Sequence, residues 1–217
     1  MRRVVVTDVD STLIRDEVIE LIADAVGPDA RAHVEAVTER AMRGELDFAA
    51  SLAERVLVLE GLPTSVLDDV VGAVRVTDGA QQLIDAVHAS GGIVGAVSGG
   101  FHEVLDPLAA SLGIDRTLAN RLGVDRGRLT GRTVGPVIDA AAKRDALHRW
   151  AGEHDVPLSA TVAIGDGAND LLMLADAGIG VAFCAKPIVR ERCAVRVDEP
   201  DMRHVLALLE PAPEHAA

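Results

Sequence analysis

Val4-Val5-Val6-Thr7-Asp8-Val9-Asp10-Ser11-Thr12-Leu13, residues 4–13, is an apolar run long enough only for a buried strand, and it ends by delivering two carboxylates one residue apart. Side chains alternate across a strand, so the i, i+2 spacing predicts that Asp8 and Asp10 point the same way at its carboxyl end, where open α/β sheets place ligands. A plainer reading is a polar strand exit with Ser11-Thr12 capping the next helix. The pair alone leaves both readings open.

Directly behind these acids, Val18, Leu21, Ile22, Ala25 and Val26 follow the i, i+3, i+4, i+7, i+8 period of a helix, which Gly27-Pro28 stops. Arg31 to Met42, Asp47 to Leu59 and Thr64 to Ala73 are also helical in pattern, turning near Arg43-Gly44 and Gly61-Leu62-Pro63, with no strand among them. Such a run predicts a helical insertion above the carboxyl edge of the sheet, a cap over whatever binds there. Arg55 falls on the apolar stripe of Phe48, Leu52 and Leu59, as a snorkelling side chain or as a ligand for an anion. Glu17, at a helix start, either complements the macrodipole or faces the mouth.

From Thr77 the texture changes to alternating helix and strand: a helix over Gly79 to Ser90, a strand over Ile93 to Val97, then Ser98-Gly99-Gly100 opening another helix. Glycines between a strand and a helix N-terminus leave backbone N–H groups free to approach a phosphate, though they also occur as simple connectors. A hairpin is expected between Arg121 and Val134, turning at Arg126-Gly127, as an auxiliary flap. Asp139 caps a helix carrying Lys143 near its first turn, where a base is poorly placed for the dipole.

The segment Thr161-Val162-Ala163-Ile164-Gly165-Asp166-Gly167-Ala168-Asn169-Asp170-Leu171 is an apolar strand, a glycine-bracketed acid and a helix start. Asp8, Asp166 and Asp170 together could surround a hard cation through oxygen ligands. N-capping explains Asn169 and Asp170 but not the glycines around Asp166. Strands over Ile179 to Ala182 and Val195 to Val197, and helices over Ile188 to Cys193 and Met202 to Leu209, complete the pattern, and the Pro-Ala-Pro-Glu-His-Ala-Ala end reads as a frayed tail.

Composition narrows the classes. In 217 residues, 49% hydrophobic, there is ample material for a core. With 34 acids against 21 bases the net charge is −13, which argues against a phosphate-backbone binder and requires local cations or a metal wherever an anion binds. Cys184 and Cys193 form no metal-ligand pattern and are expected as reduced, mostly buried thiols. No export signal or membrane-length apolar run is present, so a cytoplasmic protein is expected, without membrane or nucleic-acid partners.

With Asp-Val-Asp-Ser-Thr at the front, Ser-Gly-Gly after a central strand, a lysine, and Gly-Asp-Gly-Ala-Asn-Asp near the end, the sequence resembles the haloacid dehalogenase superfamily of aspartyl phosphohydrolases. The run from Asp8 to Glu17, the Ala41 to Phe48 segment with the later Arg55, and the Ile164 to Leu174 ending resemble its phosphoserine phosphatase family. The resemblance implies an α/β Rossmann-like core with a parallel sheet, residues 1–13 and 76–217, and a small helical cap of the C1 type over 14–75.

It further implies that Asp8 is the nucleophile forming an aspartyl-phosphate, and that Asp10 protonates the departing seryl oxygen and then activates water. Spacing supports that division independently, because a carboxylate two residues from a nucleophile is positioned for the leaving oxygen. By the same resemblance Mg²⁺ is held by Asp8, the backbone carbonyl of Asp10 and Asp166, supported by Asp170. Ser98, Gly99, Gly100 and Lys143 would bind the phosphoryl group and Asn169 would orient the site. Glu17 would take the substrate ammonium and Arg55 its carboxylate, with Met42 and Phe48 closing over it; a Glu17–Arg55 salt bridge without substrate is the plainer alternative. The implied reaction is hydrolysis of O-phospho-L-serine, the last step of L-serine synthesis, by a monomer or homodimer. Three alternatives remain open: transfer of the phosphoryl group to an alcohol such as homoserine, hydrolysis of another small phosphomonoester, and a phosphorylatable receiver-like module. Cys184 departs from the small polar residue that the resemblance implies for its loop.

Overall fold

The computed structural model describes residues 2–42 and 45–209, without the side chain of Met42. The expected turn at Arg43-Gly44, the tail from Pro211 onward and the expected contact from Met42 lie outside the described residues.

β1 (Val4–Asp8) is buried along its whole length because it sits in the middle of a sheet, paired in parallel with β2 (Ile93–Phe101) on one side and β5 (Thr161–Gly165) on the other. β3 (Arg116–Asp125), β4 (Arg128–Val134), β6 (Ile179–Phe183) and β7 (Val195–Val197) complete the order β4-β3-β2-β1-β5-β6-β7. The chain runs outward from β1 to one edge and then returns to β1's other side, so the strand order reverses between β1 and β5, the place where such sheets open a crevice for ligands.

The sheet is not wholly parallel. β3 and β4 are antiparallel, joined at Arg126 and Gly127, whose φ values of 47° and 73° suit the two-residue turn that a twisted hairpin needs. The hairpin expected from Arg121 is therefore an edge of the sheet, its first strand beginning at Arg116 to pair with β2. It also braces the helical insertion: Gly61 N donates to Leu129 O at 2.8 Å, Leu129 N to Leu62 O at 2.8 Å and Thr64 N to Gly127 O at 3.0 Å.

Between β1 and β2 the chain forms α1 (Val18–Asp24), α2 (Pro28–Met42), α3 (Phe48–Leu57) and α4 (Val66–Ala73), followed by α5 (Ala80–Ala89), which leads into β2. α2 starts at Pro28, where a missing N–H costs nothing. α6 (His102–Leu112), α7 (Ala140–Glu153), α8 (Leu171–Asp176), α9 (Pro187–Arg192) and α10 (Arg203–Leu209) follow the later strands.

The alternation of β1 divides the core. Val5, with Val94, Ala96, Val162 and Ile164, packs with α5, α6 and α10, and the apolar stripes of α1 to α4 join the same cluster through Ile22, Val34, Leu52 and Leu67. Val4 and Val6 face the opposite layer, where Leu147 and Trp150 of α7 and Met173 of α8 lie. A Cβ at Gly95 would run into the Trp150 indole, so that layer needs glycine there.

The insertion leaves and rejoins the sheet at adjacent points. Ile14 and Val76 form an antiparallel bridge, Arg15 N donates to Arg75 O at 2.9 Å and Thr77 N to Leu13 O at 2.9 Å. Asp16, 9% exposed, accepts from Arg75 N at 2.8 Å and Nη2 at 2.6 Å. Burial alone would raise the Asp16 carboxyl, but hydrogen bonds from the Arg75 side chain and backbone overcome it and hold the carboxyl below its usual range.

Candidate active site

β1 ends at Asp8 and the chain then makes a wide helical turn over Val9–Leu13, in which Ser11 takes the left-handed conformation at φ 56°. Asp10 is thus placed by the turn and not by strand alternation. Its Oδ1 accepts from Val18 N at 2.7 Å, at the start of α1, and its Oδ2 from Ser98 Oγ at 2.8 Å, beyond the middle of β2. One carboxylate therefore ties the insertion to the sheet. Ser11 does not cap a helix; its Oγ donates to Glu17 Oε1 at 2.7 Å.

Asp8, Asp166 and Asp170 bring carboxylate oxygens within 4.8 Å of one another, all three residues buried. Lys143, fully enclosed, donates to Asp8 Oδ1 at 2.6 Å and to Asp170 Oδ1 at 2.8 Å. Asp139 caps α7 by accepting from Ala142 N at 2.9 Å, which sets the first turn from which Lys143 reaches inward. Burial would lower the lysine, but Asp170 and Asp8 outweigh it and hold it above its usual value, so it stays charged. Burial and the repulsion of Asp170 push Asp8 well above the normal carboxylate range, against the pull of Lys143. Three crowded acids facing one ammonium leave uncompensated negative charge, and hard oxygen donors so arranged fit a hard divalent cation.

The glycines around Asp166 make room for this cluster. A Cβ on Gly165 would lie 2.6 Å from Asp170 Cβ and Oδ2, and one on Gly167 would lie 2.6 Å from Asn169 Oδ1. With no side chain in the way, Asp170 folds back to accept from Gly167 N at 3.0 Å.

Over the site lies a cavity of about 720 Å³ between the insertion and the sheet's carboxyl edge. Asp10, Gly99, Gly100, Asn169 and Lys186 line it from below, and Glu17, Phe48, Ser51 and Arg55 from the insertion. Phe48 leans across onto the sheet, such that a Cβ on Gly99 would be 3.0 Å from its Cζ. Burial, then the nearby Asp10, lift the Glu17 carboxyl to about 7. Burial lowers Arg55, against the attraction of Glu17. No Glu17–Arg55 salt bridge forms among the described residues, and Arg55 keeps only a bond from Nε to Ser51 O at 3.3 Å. An acceptor, Glu17, and a donor, Arg55, of opposite charge therefore face the same cavity unpaired with each other.

Several expectations need correction. β2 continues through Ser98-Gly99-Gly100 to Phe101, and α6 begins only at His102, so the glycines lie in extended chain and not at a helix N-terminus. Ser98 Oγ accepts from Gly100 N at 2.7 Å while donating to Asp10, so it is already engaged. Cys184 is exposed, and only Cys193 is buried.

Lys186 was not expected. It N-caps α9, its Nζ lies 3.3 Å from Asp166 Oδ2 and its backbone N donates to Asp166 O at 2.9 Å. Burial would lower it, but Asp166 and Glu17 hold it above its usual value. Its only sequence signal was a cation in the loop after a strand end. Ser51 carries no local sequence signal either; its Oγ and Thr12 Oγ1 are buried without hydrogen-bond partners, a state that costs about 1–3 kcal/mol each.

A family model described as haloacid dehalogenase-like hydrolase matches residues 5–175. The phosphoserine phosphatase of Lactococcus lactis is 49% identical over 205 residues, covering 94% of this chain and 93% of that protein. The phosphoserine phosphatase of Streptomyces coelicolor is 54% identical over 208 residues, 96% of this chain and 50% of its own length. Among solved structures, a substrate-bound phosphoserine phosphatase complex superposes with a TM-score of 0.89 at 36% identity, covering 97% of this chain and 99% of that one. A phospho-aspartyl intermediate analogue of phosphoserine phosphatase superposes with a TM-score of 0.88 at 36% identity, covering 96% and 99%.

Proposed function

Because the chain belongs to the haloacid dehalogenase-like hydrolases and, within them, to the phosphoserine phosphatases, we propose that it hydrolyses O-phospho-L-serine to L-serine and phosphate through an aspartyl-phosphate. The observation that carries this reading is one cavity with a buried Asp8–Lys143 pair beneath it and the opposite charges Glu17 and Arg55 on its far wall. An ester bearing an ammonium and a carboxylate matches that wall, and its phosphate matches the floor.

In this reading Asp8 attacks phosphorus in line and the P–O bond to serine breaks. Asp10 gives its proton to the seryl oxygen, then takes one from the water that attacks the aspartyl-phosphate and releases phosphate. Lys143, Ser98 and the N–H groups of Gly99 and Gly100 bind the phosphoryl oxygens, which requires Ser98 to exchange its bond to Asp10 and Gly100 N its bond to Ser98 Oγ. Asn169 orients the floor. Glu17 takes the ammonium, Arg55 grips the carboxylate, and Phe48 excludes water. Asp8, Asp166, Asp170 and the Asp10 carbonyl would hold Mg²⁺, which when bound offsets the charge of the phosphate. The donor set supports it: buried carboxylate oxygens with one lysine among them. Residues 14–75 serve as the cap and residues 1–13 and 76–217 as the catalytic core.

No helix among the described residues is long and apolar enough to cross a membrane. The reading places the chain in the cytoplasm, as an enzyme of serine biosynthesis working as a monomer or homodimer. Phosphate release from L-phosphoserine, with Mg²⁺ and with EDTA, compared with phosphothreonine, an aryl phosphate and the Asp8→Asn variant, tests the reading. Strong preference for L-phosphoserine, abolished by EDTA and by D8N, is expected. Equal rates on every ester would overturn the substrate assignment, and a new phosphomonoester formed when homoserine is added would show a transferase.

A further inference from the structure

We infer that Ser51 is a specificity-determining residue whose hydroxyl donates to the substrate carboxylate beside Arg55, an assignment that rests on the phosphoserine reading above. α3 presents Phe48, Ser51, Leu52 and Arg55 to the cavity at i, i+3, i+4 and i+7, so hydroxyl and guanidinium share one stripe a helical turn apart. Ser51 is 1% exposed and its Oγ has no hydrogen-bond partner.

A helical serine can return its hydroxyl to the carbonyl four residues back. Here that carbonyl, Asp47 O, accepts from Ser51 N at 3.0 Å, and Oγ makes no bond to it. The bond from Arg55 Nε to Ser51 O ties the two residues together, and the guanidinium makes no ion pair among the described residues. An unpartnered hydroxyl and a guanidinium without an ion pair thus stand a helical turn apart on the α3 side of the cavity.

An anion relieves both. A carboxylate offers about four acceptor directions, of which a bidentate guanidinium takes two, leaving capacity for a hydroxyl. The ammonium is the poorer occupant, since Arg55 repels it and Glu17 attracts it to another part of the wall. Phosphate is served by the cations below.

The test measures kcat and KM for wild type, Ser51→Ala and Ser51→Thr on O-phospho-L-serine and on O-phosphoethanolamine, which keeps the ester and ammonium but lacks the carboxylate, together with each melting temperature. The expected result for S51A is a loss of about tenfold in kcat/KM on phosphoserine, carried by KM, no change on phosphoethanolamine and no fall in melting temperature. S51T, which keeps the hydroxyl, recovers phosphoserine affinity. Equal losses on both esters, no loss on either, or an S51A protein that melts lower or fails to fold would overturn the assignment, the last by showing that the hydroxyl holds the structure together. Wild type that fails to hydrolyse phosphoserine would overturn the functional reading itself.

Discussion

Asp8 Oδ1 accepts from Lys143 Nζ at 2.6 Å in a place where the lysine has no exposure and the acid 4%. Breaking such a buried pair on one side costs about 3–5 kcal/mol, because the partner charges remain without compensation. Lys143→Met is expected to lower kcat by about a hundredfold to a thousandfold. It should also lower the melting temperature by about 10 °C, from the scaling of stability with chain length. Added Mg²⁺ should restore part of that loss by replacing the missing positive charge, which thermal unfolding with and without the ion will read.

Glu17 is lifted to about 7 by burial, so between its unfolded value near 4.5 and 7 the folded chain binds the extra proton. Stability contributed by this group is greatest below pH 4.5 and declines as pH rises through 7. Glu17→Gln should flatten that part of the stability profile in urea titrations. Recognition runs the other way: the ammonium needs the carboxylate, so KM for phosphoserine should fall as pH rises through 7 in wild type and lose that component in E17Q.

A methyl on Gly99 would press on Phe48, with 3.0 Å between a built Cβ and the ring, so the ring would have to give way. Gly99→Ala should push the ring away and cut kcat/KM by about tenfold, while Gly99→Ala with Phe48→Ala should cost less than the sum of the single changes. A double-mutant cycle on kcat/KM measures the coupling; strict additivity would remove the contact from the account.

Gly165 lies against the Asp170 carboxyl, 2.6 Å from a built Cβ. Gly165→Ala should displace Asp170 at a cost of about 1–3 kcal/mol from overpacking. Titration calorimetry without substrate should then show weakened Mg²⁺ binding, since a carboxylate of the trio moves.

Asp16 accepts from both the backbone and the side chain of Arg75, and its carboxyl is held low. The stability this contributes is present above pH 4 and is lost as pH falls through the depressed value. Asp16→Asn should therefore lower the melting temperature by about 2–4 °C at neutral pH, with the difference from wild type shrinking in acid.

Much of this was legible in local sequence. The strand ending at Asp8, the helices after it and the glycine-bracketed Asp166 each carry a strong local pattern, and each lies where that pattern puts it. What failed to show was set by distant partners. β2 runs on to Phe101 because Asn120 of β3 donates from Nδ2 to Gly99 O at 2.8 Å, a tie that no window around residue 99 contains. Asp10 looked like a strand residue because spacing alone does not reveal the turn at Ser11. Lys186 acquires its place from a fold-back onto Asp166, and Ser51 looks like any small helical residue until the cavity beside it is seen.

The bridge between Ile14 and Val76 makes the helical segment a detour with one doorway. Its two ends already touch, so the strand order closes beneath it, while Asp10, the β3–β4 hairpin and the shared apolar cluster hold it in place. The chain segment that would choose an ester and the segments that would cleave it thus part and meet again at a single point of the sheet.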